Sequence, residues 1–281
     1  MKLVRFGTRG HERPGILDAN GEVRDASSVV ADFAGDALLP RSLQKLASID
    51  TESLPKADKT RLGPPVAGVR NFLAVGLNYA DHAAETGAAI PAEPILFNKA
   101  PSCINGPYDD VVIPRDSSKM DWEVELAVVI GQKACYLEPA DCADVIAGYT
   151  ICHDLSEREF QLERGGQFVK GKACPTFGPI GPWLVTPDEI ADVQNLGLWL
   201  EVNGQRMQTG STQRMIFNVP FIVSYISRFM LLEPGDLITT GTPPGVGMGM
   251  KPPRFLRPGD RVSLGIDGLG HQEQRVVAYA R

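Results

Sequence analysis

No uninterrupted apolar run in the chain approaches the ~20 residues a membrane span needs, and the opening Met-Lys-Leu-Val-Arg-Phe-Gly lacks the apolar core of a signal peptide. Together these absences predict a cytoplasmic protein with no membrane partner. Cysteine is sparse: the five residues at 103, 135, 142, 152 and 174 are odd in number and contain no C-x-x-C pair, so neither a disulfide framework nor a zinc site is expected. No basic run occurs and the net charge is -6, which argues against nucleic acid and against an anionic membrane surface. The order G-x-x-x-x-G-K-[ST] is missing, which excludes a nucleotide P-loop. What remains is a chain of 281 residues, 43% hydrophobic, long enough for a full catalytic core with a small appendage.

Residues 1–66 read as a small N-terminal α+β domain, with short alternating strands, a turn at Asn20-Gly21, a helix start at Leu39-Pro-Arg-Ser-Leu43 and a polar stretch from 50 to 60. Gly63-Pro-Pro-Val66 punctuates its end. From 67 to 281 the chain shows strand-like runs separated by Gly and Pro, several introduced by Pro-Gly-Asp turns at 234–236 and 258–260. The clearest helix is 220–230, whose Phe221, Ile222, Tyr225, Ile226 and Phe229 are expected in the core. A β-rich α+β chain, built as a β-roll with scattered helices, is the predicted architecture.

Chemistry concentrates in Asp121-Trp-Glu-Val-Glu-Leu-Ala-Val-Val-Ile-Gly131. Residues i and i+2 of a strand face the same way, so Glu123 and Glu125 sit side by side while the apolar run Leu126–Ile130 carries the strand into the core. Two buried like charges repel and cost several kcal/mol unless compensated. A divalent cation is the simplest compensation. Carboxylates without a His or Cys cluster suit hard ions, so Mg2+ or Mn2+ is expected before zinc or copper. Asp154, at the end of the short β-like run 148–153, is a third ligand or, equally, the N-cap of the polar segment that follows.

His82 and Glu85 lie three apart in a segment able to form one helical turn, where their side chains would meet. An imidazole held by a carboxylate is a suitable general base, although the same pattern fits a surface helix start. The small, punctuated stretch 86–94 can move as a lid. Lys170 and Lys172 stand among glycines and apolar residues, where a lysine can bind a substrate carboxylate or stabilise an enolate, or pair with the carboxylates above. The Gly/Pro loop 239–247 offers hydroxyls and N–H groups able to hold an anion, or serves only as a turn.

Gly76-x-Asn-Tyr-x-x-His82, Trp122-Glu-Val-Glu-Leu-Ala127, His153-Asp-x-Ser-x-Arg158, Lys172 with Pro175-Thr-Phe177, and Thr240-Gly-Thr-Pro-x-Gly-Val246 together resemble, in order, the fumarylacetoacetate hydrolase family over about residues 67–281. The resemblance implies a twisted mixed β-roll catalytic domain, a homodimer, and Mg2+ or Mn2+ on Glu123, Glu125 and Asp154. It also implies that His82 and Glu85 activate water and that Arg158, Gln161, Lys172 and Thr242 handle a small 2-oxo acid. With its N-terminal appendage and the segment Lys251-Pro-Pro-Arg-Phe-Leu-Arg-Pro-Gly-Asp260, the chain looks like the group containing 2,4-diketo-3-deoxy-L-rhamnonate hydrolase, whose members also carry the label ureidoglycolate lyase.

The expected reaction is hydrolysis of the bond between carbons 3 and 4 of a 2,4-diketo acid, giving pyruvate and, from the rhamnonate derivative, L-lactate. An oxaloacetate decarboxylase or other lyase would use the same ion and enolate without attack by water. A non-catalytic keto-acid binding protein would need no base at all.

Overall fold

The computed structural model describes residues 1–58, 61–87 and 89–280, without the side chain of Thr86. Part of the polar stretch 50–60 and residue 88 of the expected lid therefore lie outside the described residues. The N-terminal residues supply β1 (Lys2–Phe6), β2 (Arg13–Leu17), β3 (Val23–Asp25), α1 (Pro40–Ala47) and β4 (Leu62–Gly63). The middle of the chain begins with β5 (Phe72–Gly76), α2 (Ala80–Thr86), β6 (Ile95–Lys99), β7 (Ile104–Asn105), β8 (Val111–Val112) and β9 (Met120–Asp121). It continues with β10 (Val124–Ile130), β11 (Ile146–His153), β12 (Ser156–Glu157), α3 (Arg158–Leu162), α4 (Val169–Lys172) and β13 (Gly178–Val185). The last third holds β14 (Gly197–Val202), β15 (Gln205–Ser211), α5 (Val219–Ser227), β16 (Leu237–Thr239), β17 (Arg261–Ile266) and β18 (Gly270–Val277).

The run Val124–Ile130 is buried at every position, a pattern that requires cover on both faces and partners on both edges. It receives both: β10 lies between β11 and β16 in a sheet ordered β3-β2-β1-β13-β11-β10-β16-β5-β6, with β4 and β7 added on β1 and β13. Pairings are antiparallel except β5 with β16 and β7 with β13. A second sheet runs β15-β14-β17-β18-β8, and β9 and β12 form a short ribbon. Mostly β with a few short helices and no closed barrel, the chain has the β-rich mixed architecture its sequence predicts. Among the described residues no helix is long and apolar enough to cross a membrane.

The two expected units share one sheet. Lys2 and Leu3 of β1 pair with Val185 and Leu184 of β13, because Leu3 and Val4 are both fully buried and need cover on both faces of the strand. The helix expected at 220–230 forms as Val219–Ser227, capped by Asn218, whose side chain accepts from Phe221 N–H. Its predicted core stripe needs correcting. Ile222 and Ile226 are fully buried, yet Phe221 and Phe229 are 38% and 62% exposed. At i, i+4 and i+8, Phe221, Tyr225 and Phe229 form a ridge of their own, with ring centroids 6.1 and 5.0 Å apart. Tyr225, in the middle of that ridge, donates its hydroxyl to Glu93.

Register decides where the site forms. Val124 opposes His153, so Glu123 and Asp154, one step beyond, are neighbours, and Asp154 N–H donates to Glu123 C=O at 2.9 Å. Ala127 opposes Thr239, which brings residue 241 level with Glu125. Thr239 runs parallel to Ala74, so the end of β5 and residue 77 arrive at the same place.

Candidate metal centre and cavity

Glu123, Glu125 and Asp154 are 5%, 2% and 0% exposed, and each offers an oxygen within 4.8 Å of the others. The alternation of β10, carried one residue before its start to Glu123, and the register of β11, carried one residue past its end to Asp154, account for this cluster. Asp154 does not cap the helix that follows; Glu157 does, accepting from Phe160 N–H at 2.7 Å. Three carboxylates and no nitrogen or sulfur form the donor set of a hard divalent cation such as Mg2+ or Mn2+.

Much of the negative charge is answered by the protein itself. Lys172 Nζ donates to Glu123 Oε2 and to Asp154 Oδ2, each at 2.6 Å. Lys99, fully buried, donates to Asp154 Oδ1 at 2.6 Å and to the Lys172 carbonyl. Arg158 forks between Asp121 Oδ2 at 2.8 Å and Glu123 Oε1 at 2.7 Å and also donates to Gln161 Oε1 at 3.1 Å. Burial alone would raise the Glu123 carboxyl, but Lys172 and Arg158 outweigh it and hold the group down to about 2. Glu125 goes the other way: burial first, then repulsion from Asp154 and Glu123, push its carboxyl well above the ordinary range, against one direct N–H bond from Gly241 at 2.9 Å. Burial likewise opposes charge on Lys99, but Asp154 overcomes it and raises the ammonium group above its ordinary value.

The triad opens into a cavity of about 210 Å³ whose wall includes His82, Arg158, Gln161, Lys172 and Thr242. The nine residues that the family resemblance assigns are thereby placed at or beside one site, whereas Lys170, the other lysine singled out in the sequence, turns away and donates to the Arg164 carbonyl. His82 and Glu85 lie on α2 as the spacing predicts, with Nδ1 3.2 Å from Glu85 Oε2. His82 is 8% exposed, so this is not a surface helix start. Glu85 also accepts from Gly245 N–H at 3.1 Å. Thr242 has a committed hydroxyl, donating to Val124 C=O at 2.9 Å and accepting from Gln208 Nε2 at 2.8 Å. The loop after β16 does hold anions with its N–H groups, as its composition allows, and they are the protein's own: Gly241 meets Glu125, Gly245 meets Glu85, and Gly247 and Met248 meet Asp121.

Sequence reasoning missed two members. Asp121 continues the Asp121-x-Glu123-x-Glu125 alternation, a signal present in the run, and it anchors Arg158. Lys99, in the unremarkable segment Phe97-Asn-Lys-Ala100, carries no local signal: only the fold brings it under Asp154.

A family description, fumarylacetoacetate (FAA) hydrolase C-terminal, matches residues 71–277. The chain belongs to the fumarylacetoacetate hydrolase family. A Burkholderia ambifaria protein named as a hydrolase, with no substrate stated, is 56% identical over 276 residues, 98% of each chain. Among solved structures, the fumarylacetoacetate hydrolase from Exiguobacterium antarcticum is 39% identical over 99% of this chain and all of that one, with a TM-score of 0.88. Maleylpyruvate hydrolase from Sphingobium sp. SYK-6, solved with manganese(II) and pyruvate, is 27% identical over the full length of both chains, with a TM-score of 0.83. The family match begins near the expected boundary at residue 66, although the sheet itself runs across it.

Proposed function

We propose that this member of the fumarylacetoacetate hydrolase family hydrolyses the carbon–carbon bond between C3 and C4 of a 2,4-diketo acid, with 2,4-diketo-3-deoxy-L-rhamnonate as the substrate to try first. One observation carries the reading: a three-carboxylate centre, a histidine held by Glu85 and a buried lysine meet at the same small cavity. A family relative solved with manganese and pyruvate supports the choice of ion and product. Glu123, Glu125 and Asp154 would hold Mg2+ or Mn2+, which when bound supplies Lewis-acid polarisation of a 2-oxo-carboxylate.

The chain's own groups do the rest. Glu85 orients His82 through Nδ1, and the imidazole takes a proton from water, which adds to the C4 carbonyl carbon. Collapse of the resulting oxyanion breaks C3–C4, releasing a carboxylic acid from the acyl half and leaving the electron pair on C3 as the pyruvate enolate. The Lys172 ammonium stabilises that enolate until the imidazolium returns its proton to C3, so one water is consumed overall. Arg158, Gln161 and Thr242 position the substrate, Thr242 through the lone pair its two bonds leave open. The working form is a homodimer, which light scattering of the purified protein would test.

The deciding experiment measures pyruvate release from 2,4-diketo acids and from oxaloacetate, with Mg2+, Mn2+ or EDTA. Metal-dependent pyruvate plus an equimolar second acid from a diketo acid is expected. Pyruvate from oxaloacetate alone would replace hydrolysis with decarboxylation.

A further inference from the structure

The cavity lining is of two kinds. Besides its charged and hydrogen-bonding groups it presents an apolar wall that includes Leu77, Ile95, Phe97, Leu162, Phe168 and Met248, with the centroid of the Phe97 ring 5.3 Å from the Lys172 ammonium. Phe97 and Phe168 brace that wall edge to face, with ring centroids 5.5 Å apart. Of the cations on the lining, Arg158 is bound to Asp121 and Glu123, and Lys172 to Glu123 and Asp154. Two further cations belong to the segment that carries Leu162 and Phe168, and both point elsewhere. Arg164 pairs with Glu159 at 2.8 Å, and Lys170 donates to the Arg164 carbonyl at 2.6 Å. Neither of them lines the cavity. At about 210 Å³, the space also falls below the roughly 300–1,000 Å³ of sites for drug-sized ligands.

With a 2-oxo-carboxylate at the triad, the other end of the ligand is left to the apolar wall. A carboxylate there would lose part of its hydration while Arg158 and Lys172 are already committed to the protein's own carboxylates, whereas an alkyl group would gain from burial; Ile95 and Leu162, 38% and 45% exposed, leave the wall partly open to solvent. Building on the diketo-acid reading above, we infer that the acyl half of the substrate is short and uncharged, and that this site discriminates against diketo acids bearing a second carboxylate.

The test uses a matched pair that differs only at the far carbon, 2,4-dioxoheptanoate and 2,4-dioxoheptanedioate, assayed with Mn2+ on the intact protein. The monoacid is expected to be favoured about tenfold or more in kcat/KM, the scale of a partly desolvated charge without a partner. A cation placed on the wall should narrow the gap: Leu162 is 45% exposed, so Leu162→Arg is tolerable to the fold and should remove most of the preference. Equal or better turnover of the dioate by the unaltered protein would overturn the inference and leave the hydrolase reading standing. If neither acid is cleaved the hydrolase reading fails, and the inference is then judged by Mn2+-dependent thermal shifts. A larger shift with the monoacid upholds it, and an equal or larger shift with the dioate refutes it.

Discussion

Lys172 joins two of the three carboxylates that would hold an ion, its ammonium 2.6 Å from both Glu123 Oε2 and Asp154 Oδ2. Replacing it with Met keeps the stem and removes the charge. Breaking a buried ion pair by deleting one partner costs about 3–5 kcal/mol. The lower end applies here, because Arg158 still bonds Glu123 and Lys99 still bonds Asp154. A loss of about 3 kcal/mol in a chain of this size lowers the unfolding midpoint by roughly 6–12 °C, and scanning fluorimetry in EDTA reads it. The second half of the argument concerns the ion. If lysine and metal draw on the same negative charge, Lys172→Met should bind Mn2+ about tenfold or more tightly by calorimetry, even as it loses turnover because the enolate has lost its cation. A saturating ion then restores most of the lost stability, by the usual dependence on free ion over Kd. An unchanged midpoint in EDTA together with weaker Mn2+ binding would refute the competition and make Lys172 a helper of the ion.

The His82–Glu85 pair gives a separable prediction: His82→Ala should lower diketo-acid hydrolysis by about 10²–10⁴ while Mn2+ affinity by calorimetry stays within a factor of two, and retained turnover would remove His82 as the base. Glu125, whose carboxyl sits well above its ordinary 4.5, should hold a proton that the ion displaces. Mn2+ affinity should then climb with pH above 4.5 with proton release visible across buffers of different ionisation enthalpy, and flat affinity from pH 5 to 8 would contradict it. In the metal-free protein the same raised carboxyl makes stability fall as pH rises above 4.5, the unfolded chain giving up its proton first. Glu123, held down to about 2, works in the opposite direction, its contribution present above 4.5 and lost as pH falls toward 2. Asp121→Asn should weaken substrate binding more than ion binding, since Asp121 holds Arg158 and the Gly247 and Met248 N–H groups; a KM unchanged within twofold would count against this.

Most of the site was legible because most of it obeys local periodicity. Glu123 and Glu125 share a side through the two-residue repeat of a strand, and His82 meets Glu85 through one turn of helix. The five-residue apolar run at 126–130 announced a strand covered on both faces. Less legible was anything fixed by register between distant strands. Asp154 reads equally as a cap or a ligand until β11 is laid against β10 with Val124 opposite His153. Lys99 belongs to β6 at the far edge of the sheet, and no pattern within its own segment foretells a bond to a carboxylate 55 residues on. The α5 stripe misled for a related reason: apolar composition cannot say which of two adjacent ridges faces inward, and the aromatic one was left outside.

The three carboxylates of Asp121-x-Glu123-x-Glu125 show how the fold prepares a place for an ion. Each sits on the same side of the chain, yet each meets a different counterpart. Asp121 takes Arg158 and the N–H groups of Trp122, Gly247 and Met248, which leaves it fully answered and no part of the triad. Glu123 takes a bond from Arg158 on one oxygen and from Lys172 on the other. Glu125 takes one backbone N–H from Gly241 and, among the described residues, no directly bonded cation. Compensation thus declines along the strand toward the cavity, and Glu125, the least answered, is the carboxyl whose proton the ion would displace. If that gradient is what draws the ion, Glu125→Gln should weaken Mn2+ binding by a larger factor than Glu123→Gln, because the charge of Glu123 is already shared with Arg158 and Lys172 whereas that of Glu125 is left to the ion. Calorimetric titration of the two variants, with EDTA-treated protein as the starting point, distinguishes the cases: a greater loss at Glu123 would mean that the ion is placed by geometry alone.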